Sequence, residues 1–185
     1  MGTRGFVGFV ADDETKIAYT HWDAYPGGLG LSVLEWLRGA DLATTEAAVR
    51  GLRVVGDGDV PTTDDVERLK KFYDPEVGGP SEEPSWYQVL RRTQGDPAAI
   101  LEAGVLLDAS NFPADSLFAE WGFVVDFDRG LLEAYEGFQE SPHRKGRFAY
   151  MKPTGNGYYP VKLVASWPLS ALPTQDDFLS KLGSV

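Results

Sequence analysis

Two short runs rich in β-branched and aromatic residues, Phe6-Val-Gly-Phe-Val10 and Lys16-Ile-Ala-Tyr-Thr20, are separated by only Ala11-Asp-Asp-Glu-Thr15. Runs this short and this close, with a polar break between them, predict an antiparallel hairpin with a five-residue loop. A second hairpin is expected near the other end, from 123–127 and 131–136 joined around Asp128-Arg129-Gly130. Three further strands are predicted at 105–109, 148–151 and 159–167, the last two separated by the turn-prone Pro153-Thr-Gly-Asn-Gly157.

The middle of the chain reads differently. Leu31-Ser-Val-Leu-Glu-Trp-Leu-Arg38 carries apolar residues at helical spacing, and Gly39 can end it. A second helix is expected over 45–53 with Thr44 as its cap, and a third after Thr62 or Thr63, where Asp64 and Asp65 suit the positive end of the helix dipole. Ser85 reads as the cap of a helix over 86–94. Asp96-Pro97 opens another that Gly104 terminates, residues 113–120 make a helical turn, and Thr174 caps a last helix over 175–182. Residues 74–85, with three prolines and two glycines, read as a flexible surface loop. Strands at both ends with helices grouped between them predict a single α+β domain over 1–185, its largely antiparallel sheet formed by the N-terminal and C-terminal hairpins.

Composition supports one ordinary core. The chain has 185 residues, 43% hydrophobic and 24% charged, and no apolar run near the ~20 residues of a membrane span. It has no cysteine, which removes disulfides, thiolate metal sites and cysteine nucleophiles, and no secretory signal pattern is visible. These features lead us to expect a cytoplasmic protein without membrane association. The net charge of −11 argues against direct binding of nucleic acid, which needs a concentrated basic surface. The acids are spread over turns and helix starts, so solubility explains them better than mimicry of DNA does.

The densest concentration of chemistry is Tyr19-Thr-His-Trp-Asp-Ala-Tyr-Pro-Gly-Gly-Leu-Gly30. His21 and Asp23, two apart in an extended chain, point the same way, and the carboxylate can orient the imidazole as a general base. Gly27, Gly28 and Gly30 lead into a helix start whose N–H groups can face an anion, although the spacing matches neither a P-loop nor a dinucleotide fingerprint. Tyr19, Trp22 and Tyr25 add aromatic contact surface, so these three rings and the three glycines are the expected ligand-binding residues. The competing reading makes the stretch a folding device, because Tyr25-Pro-Gly-Gly28 has the residues of a tight turn. Asp126, Asp128, Glu133 and Glu136 could supply carboxylates to a cation, but the solvent face of a hairpin looks the same and is preferred here. No cofactor or metal is expected. His143 is placed in an exposed loop, and most of the five tryptophans in the core. An N-terminal nucleophile would need Thr3 exposed by removal of Met1 and Gly2, and is set aside.

Thr3-Arg-Gly5, Phe9 and the Y-x-H-x-D-x-Y-P-x-G-L-G pattern of residues 19–30 resemble a group of uncharacterised proteins from actinobacteria, their phages and some fungi. The resemblance covers about the first 30 residues, with a weaker likeness over 120–135, and implies no reaction. Some members of that group carry Cys at the position of Gly2. Two functions are therefore expected to compete. One is binding of a protein partner or small ligand through residues 19–30. The alternative is a hydrolase with His21 as general base and Asp23 orienting it.

Overall fold

The computed structural model describes residues 2–78 and 83–183. β1 (Gly5–Ala11) and β2 (Glu14–Thr20) form the first hairpin. Its turn is tighter than the sequence suggests: Asp12 and Asp13 both take left-handed φ, 56° and 61°, and close a two-residue loop. Two consecutive positive φ angles match the right-handed twist of the flanking strands, which is why so short a turn suffices. The strain is relieved from across the molecule, since the Asp128 carboxylate accepts the N–H groups of Asp12 (2.9 Å) and Asp13 (2.8 Å).

The chain then enters a π-helical turn (Pro26–Gly30) that runs into α1 (Leu31–Gly39). α2 (Leu42–Arg50) begins three residues earlier than expected. Its cap is Asp41, whose side chain accepts Thr44 N–H at 2.8 Å, rather than Thr44. β3 (Arg53–Val55) occupies the expected end of that helix. α3 (Thr63–Arg68) starts from a Thr62–Asp65 capping box, and α4 (Trp86–Val89) from the equivalent Ser85–Gln88 box. A 3-10 turn (Arg91–Thr93), α5 (Pro97–Ala103) and β4 (Val105–Leu107) follow. Part of the expected loop over 74–85, residues 79–82, lies outside the described residues.

β5 (Trp121–Asp126), β6 (Leu131–Glu136) and β7 (Lys162–Pro168) complete the main sheet, and α6 (Gln175–Lys181) ends the fold. Residues 148–151, expected as a strand, form turns instead, with Phe148 directed into the core. Strand order is β2-β1-β5-β6-β7. Every neighbouring pair is antiparallel except β1 and β5, which run parallel at the centre with Gly5 opposite Trp121. The α+β reading with a mostly antiparallel sheet of N- and C-terminal strands holds. β3 and β4 form a separate parallel pair.

Alternation along β1 divides the core in two. Val7, Phe9 and Ala11 face the layer containing α1, α2 and α6, together with Phe123, Val125 and Phe178. Phe6 and Val10 face Val124, Tyr135, Phe148 and Val161, a layer built from irregular chain. A third cluster, with Trp86, Phe72, Leu69 and Val105, packs α3 and α4 against the β3–β4 pair. Backbones approach closely where β1 meets β5: an added Cβ on Gly5 would sit 2.1 Å from the carbonyl oxygen of Trp121, so only glycine fits there, and the Phe6 ring lies over Gly122. Among the described residues no helix is long and apolar enough to cross a membrane.

Candidate functional site

The stretch 19–30 does two separate things. Its backbone is a structural stitch. Ala24 N–H donates to Thr3 O (3.1 Å), Leu29 N–H to Asp23 O (2.8 Å), and both Gly28 and Gly30 N–H to Tyr25 O (3.0 and 3.2 Å). The glycine N–H groups of residues 28 and 30 are thus consumed inside the turn, and no anion cradle forms from them. Gly30 packs where a Cβ would meet the rings of Phe123 and Phe178. Gly27 is exposed and lines neither hollow described below.

The side chains behave differently. Tyr19, the last but one residue of β2, faces the irregular layer and meets Phe112 edge-on, ring centroids 5.0 Å apart. Its hydroxyl lies 2.6 Å from Nδ1 of His21. Burial first, then the positive charges of Arg91 and Arg4, hold the His21 pKa below its ordinary value. Burial and the nearby Tyr87 push the Tyr19 phenol up. Both directions favour a neutral pair, in which the phenol donates and the imidazole accepts. Asp23 does not take part. It is exposed at φ 53°, and among the described residues no hydrogen bond joins it to His21.

Tyr19 forms one wall of a cleft of about 460 Å³. Tyr87 and Leu90 from α4 and its end, Thr93 and Gln94 from the following turn, and Leu107 to Phe112 from the end of β4 and the segment after it supply most of the rest, together with Asp57, Asp115 and Thr154. The segment after β4 is fixed against β2 by Ala109 N–H donating to Ile17 O (2.9 Å), which places its polar run beside Tyr19. A second hollow of about 300 Å³ adjoins the first. Thr20, Trp22, Asp23, Tyr25 and Gly28 line it, and Gln94 is shared by both. Trp22 and Tyr25 are 54% and 43% exposed there, an exception among tryptophans otherwise buried or packed on the core.

The structure therefore brings Tyr19, Trp22, Tyr25 and Gly28 to two adjoining hollows, leaves His21 behind Tyr19 as its acceptor, and gives Asp23, Gly27 and Gly30 no shared geometry with the imidazole. Sequence reading missed Tyr87, Thr93, Gln94 and the Asp108-Ala-Ser-Asn111 run. The one available signal was that polar run directly after a strand.

The acids of the second hairpin are corrected by the structure. Asp126 and Glu133 are each 1% exposed and are not on a solvent face. Arg147 bridges them, ion-paired with Asp126 and donating from Nε to Glu133 at 2.9 Å. Asp128 caps the first hairpin, as described above. Among the described residues no group of three or more His, Cys, Asp or Glu could hold a metal. His143 is half-buried, with Nε2 donating to Pro160 O at 2.8 Å.

No protein family, curated protein or solved structure matches the chain.

Proposed function

We infer that this protein binds a small polar molecule in the cleft beside Tyr19, and that residues 19–30 contribute its wall and margin. The observation that carries the reading is the cleft itself. Its volume of about 460 Å³ falls within the roughly 300–1,000 Å³ typical of small-molecule sites. Its lining follows the same pattern, with rings from Tyr19, Tyr87 and Phe112 and a limited set of polar groups converging from separate elements. A hydrolytic role for His21 has less support, because its hydrogen-bond partner is Tyr19 and the neighbouring glycine N–H groups are already bonded.

The test is a thermal-shift screen of small polar compounds against the wild type and Asn111→Trp. Asn111 is exposed and lines the cleft, so the indole occupies the cleft without entering the core. A ligand at 100 times its Kd stabilises by about 2.7 kcal/mol. Hits are expected on the wild type and lost in the variant. Hits that persist in Asn111→Trp, or a screen without any, overturn the reading.

A further inference from the structure

We propose that the two adjoining hollows take one extended ligand, a neutral chain of sugar rings, rather than a compact molecule in the larger cleft alone. This rests on the ligand-binding reading above and adds its chemical class and its length.

The first support is donor and acceptor accounting. Three of the hydroxyls that line the larger cleft have already committed their protons. Tyr19 donates to His21, Thr93 to Leu90 O at 2.8 Å and Ser110 to Asp108 at 3.0 Å. They show lone pairs to the cleft, where Asp57 and Asp115 add further acceptors. These acceptors call for donors on the occupant. Donors are supplied by the Tyr87 hydroxyl, which accepts from Arg91 Nη1 (3.3 Å) and keeps its own proton, and by two amides. Gln94 spends its Oε1 on Arg91 Nη1 (2.5 Å), which leaves its NH₂ without a partner among the described residues, and the Asn111 side chain is likewise unbonded there. A ligand that both donates and accepts along its length, as a polyhydroxylated ring does, satisfies both sets.

The second support is independent of polarity. Aromatic rings line both hollows, Tyr19, Tyr87 and Phe112 the larger and the exposed Trp22 and Tyr25 the smaller. Exposed rings beside a concavity give the C–H face of a sugar ring something to lie against. Gln94 belongs to both hollows, and the next residue is Gly95 at φ 77°, where a Cβ would stand 2.9 Å from Thr20 Oγ1. Glycine there lets the turn lie directly on β2. A compact organic cation would use the carboxylates and one set of rings, but would leave Trp22 and Tyr25 without a role.

The experiment is titration calorimetry with glucose-, mannose- and N-acetylglucosamine-based mono-, di- and trisaccharides, with choline as the cation probe. One series is expected to bind, with affinity rising about tenfold from monosaccharide to trisaccharide. Trp22→Ala, with Tyr25→Ala as a second variant, is expected to abolish that gain with length. Unchanged melting temperatures confirm that both variants are folded. Affinity independent of length, tighter binding of choline than of any sugar, or no sugar binding at millimolar concentration overturns the proposal. If small-molecule hits blocked by Asn111→Trp survive while no sugar binds, only this inference falls. If neither class binds, the ligand-binding reading falls with it.

Discussion

The Tyr19 hydroxyl and His21 Nδ1 stand 2.6 Å apart, and this bond, not one to Asp23, fixes the imidazole. Burial, Arg91 and Arg4 all lower the His21 pKa, so the unfolded chain binds the proton more readily than the folded one. Stability from this site is therefore complete above the unfolded value of about 6.5 and is lost as pH falls toward the lower folded value. NMR titration of the ring should give a midpoint below that of a free histidine. Arg91→Gln should raise it, and so should Tyr19→Phe, which removes a donor that stabilises the neutral ring. Midpoints unmoved in both variants would dissociate His21 from this environment.

Arg147 holds two carboxylates that are nearly inaccessible, and Tyr135 donates to the same Glu133 at 2.8 Å. Removing Arg147 strands Asp126 in the core and leaves Glu133 only the exposed Arg129 at 3.4 Å, and breaking a buried pair in this way typically costs about 3–5 kcal/mol. Arg147→Met should lower stability by that amount in urea unfolding. Adding Asp126→Asn and Glu133→Gln should restore much of it, because the uncompensated charges are then gone. The same network pins the irregular segment before β7 onto the sheet, so Arg147→Met alone should also speed amide exchange around Phe148. If the triple variant is no more stable than Arg147→Met, the cost does not lie in buried charge.

The contrast between legible and illegible parts of this chain follows from range. Hairpins, caps and helix ends depend on residues a few positions apart. Ser85, Asp96 and Thr174 accordingly read correctly from sequence, and of the two candidates Thr62 and Thr63 the cap is Thr62. Asp128 bonding the Asp12–Asp13 turn, and Arg147 neutralising Asp126, cross 116 and 21 residues respectively, and no local pattern marks them. The cleft is illegible for the same reason. Tyr19, Tyr87 and Asp108 meet only because β4 and the segment after it dock on β2, and neither β3 nor its pairing with β4 was foreseen. What the sequence did expose was the aromatic density of residues 19–25, since a cluster of rings near a turn is a local property.

Lys16 is 5% exposed, yet its ammonium lies against the end of α2. It donates to Val49 O (2.9 Å), Arg50 O (3.3 Å) and Leu52 O (3.2 Å), and pairs with the exposed Glu14. A cation suits the negative end of the helix, and here it also satisfies carbonyls that the ending helix leaves open. Lys16→Met keeps the length of the stem and removes the charge. It should destabilise by about 1.5–3 kcal/mol, the range for bonds to a charged group. Thermal unfolding then shifts down by several degrees at this chain length. Glu14→Gln should be within about 0.5 kcal/mol of wild type, as expected for an exposed partner.

Gly28 and Asp23 separate folding from binding within one turn. A Cβ on Gly28 would stand 2.3 Å from the carbonyl oxygen of Asp23, the same oxygen that accepts Leu29 N–H. Gly28→Ala must push that turn open and should cost about 1–3 kcal/mol, in the range of backbone-strain substitutions. Asp23 is at φ 53°, so Asp23→Gly should be close to neutral, whereas Asp23→Val places a β-branched residue in the left-handed region at roughly 1–2 kcal/mol. Trp22→Ala, directly before Asp23 in sequence but 54% exposed, should leave the melting temperature unchanged. Measured side by side in thermal unfolding, the four variants test whether backbone and side chains carry different duties. A large loss in Trp22→Ala would mean that the ring is held for the fold, and that no surface in this turn is left over for a ligand.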